Sequence, residues 1–146
     1  MNLQVVGEGA LMLYLGANVD DLVMAKVQAA TAAIEAALGD ELIDLVPSYA
    51  SVLILFDPLQ QAHTDVATRV RAAVNTLSDN QLAEGRLVRL PVLYGPDTGA
   101  DLQALASRAG LSVDDVIELH TSVEYRVYAI GFAPGFAYLG QVDERI

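Results

Sequence analysis

The order of elements in the first half of the sequence constrains the fold most: two β-hairpins, each followed by an amphipathic helix. Residues typical of tight turns separate the two arms of each hairpin, Gly7-Glu8-Gly9 in the first and Pro47-Ser48-Tyr49-Ala50 in the second. The predicted strands cover residues 3–6, 10–15, 41–46 and 51–56. The last strand is nearly all apolar, which predicts a central strand covered on both faces, and Asp57-Pro58 ends it.

Each hairpin precedes a segment with a single apolar helical stripe. Asn18 is expected to cap the first helix, which begins near Val19 and ends at Gly39. The second helix runs to about Leu77, with His63 early in it and facing solvent. Because each helix can cover one face of a sheet, the order ββαββα predicts an α+β fold, a small sandwich of helices on a sheet.

A polar segment without periodicity, from Ser78 to Gly85, marks the predicted boundary between a domain of residues 1–84 and a domain of residues 85–146. The second domain begins with an alternating segment, Arg86 to Leu93, which predicts a strand. Two short helices follow. The first covers residues 101–109, and the second is capped by Ser112 with Asp115 as an approximate capping box.

The 146 residues carry a formal net charge of -11 and include no cysteine. So acidic a chain is not expected to bind nucleic acid or an anionic membrane, although the two short helices resemble a helix-turn-helix in outline. The negative charge also repels free ATP, so any nucleotide site has to be local or supplied by a partner. Neither a signal peptide nor a segment of transmembrane length is evident, and the cytoplasm is the expected location.

Residues 131–140, GFAPGFAYLG, combine three glycines, one proline and three aromatic side chains. This composition excludes a helix and predicts a loop after a strand that covers residues 123–130. Two interpretations remain open for the rings of Phe132, Phe136 and Tyr138. They plug the core, or they line the rim of a binding groove that the strand holds in place.

The sequence contains no P-loop, no dinucleotide-binding fingerprint and no zinc-ligand spacing, so no metal site is expected. His120 ends the second short helix, where a cation is favoured, and Glu124, Tyr125 and Arg126 follow closely. A structural cap and a polar cluster that orients a substrate both account for this spacing. No nucleophile or other catalytic residue can be named from the sequence.

Several motifs resemble the 5-oxoprolinase B-subunit family, also known as allophanate hydrolase subunit 1 or carboxyltransferase subdomains C and D. Residues 131–140 are similar to the family signature GFxPGFPYLGG, and residues 90–95, LPVLYG, to its PVxYG strand. Residues 110–120 are similar to its GLSxxEVIxLHS segment. The similarity extends in order along the whole chain, with departures at Thr121, Ala137 and Gln141.

The resemblance implies a longer parent protein. Family members continue with a second glycine-rich segment that helps close a cyclophilin-like β-barrel. The chain is therefore expected to be a C-terminally truncated form or a fragment, in which residues 85–146 are the incomplete start of that barrel.

The resemblance also implies one component of a bacterial 5-oxoprolinase, whose A, B and C subunits couple ATP hydrolysis to the conversion of 5-oxo-L-proline to L-glutamate. ATP, with Mg, would bind at a site shared with or supplied by a partner subunit. Two alternatives remain open: a Kip-type inhibitor of a sensor histidine kinase, and a carboxyltransferase piece of a urea-degrading biotin enzyme. The implied candidates for a groove that faces substrate or partner are His120, Glu124, Tyr125, Gly131, Phe132, Pro134, Gly135, Phe136 and Tyr138.

Overall fold

A computed structural model describes residues 1–77, 85–140 and 142–146. The chain divides into two compact units. Unit 1 comprises Met1–Glu84 with Tyr128–Ile130, and unit 2 comprises Gly85–Val127 with Gly131–Ile146. The predicted domain boundary falls almost entirely on residues 78–84, outside the described residues, and it stays a prediction.

Unit 1 contains a four-stranded antiparallel sheet. Its strands are β1 (Asn2–Gly7), β2 (Ala10–Tyr14), β3 (Leu42–Pro47) and β4 (Ser51–Phe56), in the spatial order β1-β2-β4-β3. Both predicted hairpins are confirmed, and β2 and β4 join them, with Leu11 opposite Ile54 and Leu13 opposite Val52. These four side chains point to the same face, because residues paired across neighbouring strands share a side of the sheet.

Two helices cover that face. α1 (Asp21–Leu38) continues into a 3₁₀ turn (Gly39–Glu41), and α2 (His63–Asn75) follows β4. The buried core consists of one side of the sheet and the apolar stripe of each helix: Leu11, Leu13, Val27, Ala30, Ile34, Leu38, Val52, Ile54, Phe56, Val66, Ala67, Val70 and Val74. The α+β class is confirmed. The expectation that β4 is covered on both faces is wrong, because Ser51, Leu53 and Leu55 are only partly buried.

The beginnings of both helices differ from expectation. Asp20, not Asn18, caps α1: its backbone is extended and its carboxylate accepts a hydrogen bond from the amide of Val23 at 2.8 Å. His63 does not simply face solvent. Its Nε2 lies 2.9 Å from the carbonyl oxygen of Gly7, and its ring meets that of Phe56 edge-on. The beginning of α2 therefore contacts the end of β1 and the end of β4 through His63.

Unit 2 contains two short helices, α3 (Leu102–Ala109) and α4 (Val113–Thr121), as predicted. Gly110 ends α3 in the left-handed conformation, with φ 69°. At α4 the predicted capping box is present, since Ser112 and Asp115 each accept a hydrogen bond from the other's amide. Two further strands follow along the chain and pair as a hairpin: β5 (Val127–Ile130), whose residues Tyr128–Ile130 are counted with unit 1, and β6 (Ala137–Leu139). The described residues form no closed barrel.

The predicted strand over Arg86 to Leu93 is wrong. The structure assigns it no strand pairing, and its apolar side chains Leu87, Val88, Leu90, Val92 and Leu93 are exposed. Alternation in sequence shows which residues could share a face, but a strand also needs a neighbour for its amides and carbonyls. Among the described residues, none is paired with this segment.

By length and composition, the segment Asp21–Glu41 is apolar enough to cross a membrane, contrary to the expectation that no such segment exists. A core helix of a globular domain meets the same criteria. The buried side of α1 belongs to the core of unit 1.

Candidate functional site

Two consecutive turns shape the segment that follows β5 and runs into β6, called the aromatic loop here (residues 131–138). The amide of Phe136 donates to the carbonyl of Ala133 at 3.0 Å, with Pro134 and Gly135 between them. Gly135 has φ 78°, so this is a type II turn with proline and glycine at their preferred positions. The sequence therefore specifies this turn directly.

The preceding turn is strained. The amide of Ala133 donates to the carbonyl of Gly131 at 2.8 Å, which closes a three-residue γ-turn around Phe132. Phe132 has φ 67°, a left-handed value that costs a non-glycine residue about 1–2 kcal/mol. Such strain concentrates at functional positions, so Phe132 is a candidate for a role outside folding.

The aromatic rings of the loop contact one another rather than the core. Phe136 meets Phe132 and Tyr138 edge-to-face, with centroids 5.5 Å and 5.1 Å apart. Phe132 is 89% exposed, and the other two rings are more than one third exposed. The interpretation that these rings plug the core is wrong. They form an exposed aromatic edge, and its assignment to a binding groove stays a prediction.

A second group lies in unit 2 and is called the tyrosine–histidine cluster here (Tyr94, His120 and Tyr125). The hydroxyl of Tyr94 lies 2.5 Å from Nδ1 of His120. The ring of His120 also lies against that of Tyr125, with centroids 5.3 Å apart and planes tilted by 34°. α4 positions His120 in its last turn, and the residues after the helix bring Tyr125 back beside it.

The hydroxyl of Tyr125 is buried and has no hydrogen-bond partner among the described residues. A buried hydroxyl without a partner costs about 1–3 kcal/mol. Burial, together with Tyr94 and Asp143 nearby, raises the pKa of Tyr125 above its ordinary value of 10.0. Tyr125 is therefore held as a neutral hydroxyl, which can donate one hydrogen bond to an acceptor that reaches it.

The structure brings only some of the predicted polar residues together. Tyr125 joins His120, whereas Glu124 is exposed and shows no hydrogen bond or ion pair to a described residue. Tyr94, which is not among the predicted site residues, is the member that sequence reasoning missed. It lies 26 positions before His120, and its presence in the LPVLYG motif was the available signal.

A backbone contact links the tyrosine–histidine cluster to the end of β6. The amide of Gly140 donates to the carbonyl of Arg126 at 2.8 Å, directly after Tyr125. Four residues after the end of β6, Asp143 accepts two side-chain hydrogen bonds and one backbone hydrogen bond from Arg145. These bonds lower the pKa of Asp143 to about 2, so this carboxylate stays charged near Tyr125.

The described residues include no phosphate cradle of the P-loop type. A phosphate cradle combines a glycine-rich turn with a lysine, and the single lysine of the sequence, Lys26, lies within α1. Arg69 and Arg145 are paired with carboxylates. A cleft of about 420 Å³ in unit 1 is lined partly by Glu35 and Asp44, whose charge would repel phosphates. Nor do the described residues include three His, Asp or Glu side chains grouped to hold a metal ion.

Comparison with known proteins gives the same family along the whole chain. The sequence profile of the carboxyltransferase domain, subdomain C and D, matches residues 1–146. A Bacillus subtilis protein named as the B subunit of 5-oxoprolinase is 32% identical over 97% of the chain. An Escherichia coli O157:H7 protein of the same name is 49% identical over 43% of the chain. The chain spans 63% of the length of the first relative and 29% of the second.

Solved structures agree on the fold. A crystal structure of TTHA0988 matches with a TM-score of 0.77 and 34% identity, covering 93% of this chain and 26% of that one. A second crystal form of the same protein gives a TM-score of 0.75. The chain therefore belongs to the family of carboxyltransferase subdomains C and D and is related to proteins named as the B subunit of 5-oxoprolinase.

Proposed function

We propose that this chain is part of the B subunit of a cytoplasmic 5-oxoprolinase, which converts 5-oxo-L-proline to L-glutamate with ATP and the A and C subunits. The observation that carries the proposal is the 32% identity, over 97% of the chain, to a protein named as the B subunit of 5-oxoprolinase. The features of unit 2 are compatible with this role, because they offer apolar and polar contacts of the kinds a small lactam can use.

5-Oxoproline has a five-membered lactam ring, a ring carbonyl and a carboxylate. The lactam is a stable amide, so its carbonyl has to be activated before water can attack it, and this step is where ATP is required. Hydrogen-bond donors aimed at the developing negative charge on such an oxygen accelerate acyl chemistry strongly. The tyrosine–histidine cluster has donors of this kind, and we assign it to the lactam carbonyl or the carboxylate.

The aromatic loop supplies the apolar part of the proposed site. Phe132, Phe136 and Tyr138 hold their rings edge-to-face and exposed, so a flat, weakly polar ring or an apolar segment of the C subunit can pack on them. The type II turn and the γ-turn fix the loop backbone without help from a core. We therefore assign the loop to contact with substrate or partner.

ATP belongs to the partner side of the proposed complex. The described residues of this chain form no phosphate cradle, and the net charge of -11 disfavours a free polyphosphate. We assign nucleotide and Mg binding to a partner subunit, and substrate positioning to this chain.

The direct test is ATP-dependent release of glutamate from 5-oxoproline by the purified A and C subunits. The assay compares this chain, a version extended to the length of the Bacillus subtilis relative, and no added chain. Glutamate released with either version supports the proposal, and release with the extended version alone shows that the additional length is needed. Absence of release with both versions, in the presence of competent partners, contradicts it.

A matched pair of variants tests the aromatic loop in the same assay. Phe136→Ala should lower glutamate release at least tenfold, by removing the ring that contacts both others. Leu59→Ala removes a side chain that is 94% exposed in unit 1 and should leave the rate unchanged. Equal loss of activity and of thermal stability in Phe136→Ala would instead assign the ring to folding.

A further inference from the structure

The hydrogen bond between Tyr94 and His120 has a direction that the chemistry of the two groups decides. A phenol is a better hydrogen-bond donor than a neutral imidazole N–H, and an unprotonated imidazole nitrogen is a better acceptor than a phenol oxygen. The hydroxyl of Tyr94 has no other hydrogen-bond partner among the described residues. Donation from the Tyr94 hydroxyl to Nδ1 therefore pairs the stronger donor of the two groups with the stronger acceptor.

The direction of this hydrogen bond decides whether the other ring nitrogen, Nε2, carries a hydrogen. A neutral histidine whose Nδ1 accepts carries its hydrogen on Nε2. Nε2 of His120 has no partner among the described residues, and the ring is only partly buried. The Nε2–H group is consequently available to an acceptor outside the described part of the chain.

We propose that Tyr94 is a positioning residue that holds His120 as the Nε2–H tautomer, so that His120 donates a hydrogen bond to a carbonyl or carboxylate oxygen. Tyr125, beside the His120 ring, is the candidate second donor through its unpartnered hydroxyl. The tautomer follows from this chain alone. The identity of the acceptor as a lactam oxygen rests on the proposed function.

Nuclear magnetic resonance of the histidine ring nitrogens tests the tautomer directly, because the chain has two histidines. The spectra are recorded on a ¹⁵N-labelled chain at about pH 8, which lies above the pKa of about 6.5 of histidine in a model peptide. His63 is an internal reference: its Nε2 faces the carbonyl of Gly7, which can only accept, so it must also be the Nε2–H tautomer. A His63→Gln variant assigns the two sets of signals.

The proposal expects two similar spectra, each with a protonated Nε2 and an unprotonated Nδ1. A protonated Nδ1 in His120, or signals averaged between the tautomers, would overturn it. Tyr94→Phe removes a single oxygen and should shift the His120 signals toward the averaged values, with the His63 signals unchanged. Unchanged His120 signals in a folded Tyr94→Phe variant would also overturn it. If that variant does not fold, the wild-type spectrum still decides.

Activity measurements test the donation by Nε2–H to a substrate oxygen separately from the tautomer itself. A glutamine amide at position 120 can place its N–H near that of Nε2, whereas an asparagine amide reaches only to the position of Nδ1. In the reconstituted complex, His120→Asn should lower the rate about 100-fold, and His120→Gln should retain most of it. Equal rates for the two variants would exclude the Nε2–H donor. Glutamate release absent from every sample would contradict the proposed function while the spectrum still establishes the tautomer.

Discussion

Unit 1 and unit 2 differ in how they hold their shape. In unit 1 a four-stranded sheet and two helices bury a continuous core that includes Phe56 and Ile34. In unit 2 the fully buried apolar side chains, among the described residues, are Ala106 and Val116. Its structure depends instead on local devices: the capping box at Ser112, the left-handed Gly110 and the turns of the aromatic loop.

The difference indicates where function can be placed. A core of close-packed side chains tolerates little change, so unit 1 is suited to be a scaffold. Unit 2 keeps its aromatic rings and the polar cluster at or near the surface, held by hydrogen bonds of the backbone and of neighbouring side chains. Substitutions should therefore affect the two units unequally.

Removal of core volume should give the largest contrast. Phe56→Ala empties a site that is 1% exposed and should lower the free energy of unfolding of unit 1 by about 3–5 kcal/mol. Val116→Ala in unit 2 removes about two buried methylene equivalents and should cost about 1.5 kcal/mol. Amide hydrogen exchange, followed at β4 and at α4, reports the two units separately in one sample.

Leu59→Ala is the control for both variants, because its exposed side chain should contribute less than about 0.5 kcal/mol. Equal costs for Phe56→Ala and Val116→Ala would remove the contrast between the units. A cost of Phe56→Ala below about 1 kcal/mol would show that the core of unit 1 is not packed as described.

The next effect concerns close backbone packing in unit 1. A Cβ added at Gly9 would overlap the carbonyl oxygen of Phe56 and lie 3.0 Å from Cδ of Pro58. Gly9→Ala should therefore cost about 1–3 kcal/mol, through displacement of the first turn from the end of β4. Gly7→Ala is the matched control, since its Cβ would meet Ala10 at 3.4 Å and should be accommodated at lower cost. Urea unfolding followed by circular dichroism measures both, and equal midpoints would contradict the predicted overlap.

A smaller effect is expected at Phe132, the strained residue of unit 2, where introducing glycine should stabilise the protein relative to introducing alanine. Phe132→Gly and Phe132→Ala both remove the exposed ring, but only glycine adopts φ 67° without steric cost. Phe132→Gly should be more stable than Phe132→Ala by about 1 kcal/mol, and both should lose activity alike. Thermal unfolding and the glutamate assay measure the two properties. Equal stabilities would mean that the γ-turn opens once the ring is gone.

The sequence predicted unit 1 well because its two periodicities come from one packing arrangement. Apolar residues that alternate in β2 and β4 and recur on one side of α1 and α2 meet in the same core. The residue that caps α1 could not be fixed in this way, because Asn18 and Asp20 are both good caps and only the backbone geometry selects Asp20. The apolar sequence of β4 could not show that its second face is only partly covered, because apolarity does not reveal whether another element packs there.

Unit 2 was predictable where its structure is local. Ser112 with Asp115 and Pro134 with Gly135 specify a cap and a turn within four residues. The segment from Arg86 to Leu93 was mispredicted because strand pairing depends on a neighbour that sequence alternation does not reveal. The contact of Tyr94 with His120 joins residues 26 positions apart, so it required the fold.

The smallest expected effect compares two exposed ion pairs. In unit 1, Arg69 binds Glu41 at 2.7 Å and also donates to the carbonyl of Ala37, which joins α2 to the end of α1. The hydrogen bond from Arg69 lowers the pKa of Glu41 below its ordinary value of 4.5. The stabilisation is therefore complete above that ordinary value and is lost as the pH falls through the lowered value. Glu41→Gln should lower the urea midpoint of unit 1 at pH 7, and the difference from the wild type should vanish in acid.

Asp143→Asn is the matched change in unit 2. Asp143 and Arg145 are two residues apart, so the unfolded chain can form much of the same contact, although the pair lowers the pKa of Asp143 to about 2 in the folded chain. The stabilisation from this pair would be lost as the pH falls from the ordinary pKa of 3.8 to the lowered pKa of about 2. At pH 7, Asp143→Asn should leave the urea midpoint of unit 1 unchanged. A shift as large as that of Glu41→Gln would show that the stabilities of the two units are coupled. A shift confined to Glu41→Gln would establish that only the ion pair between distant segments contributes to the core unit.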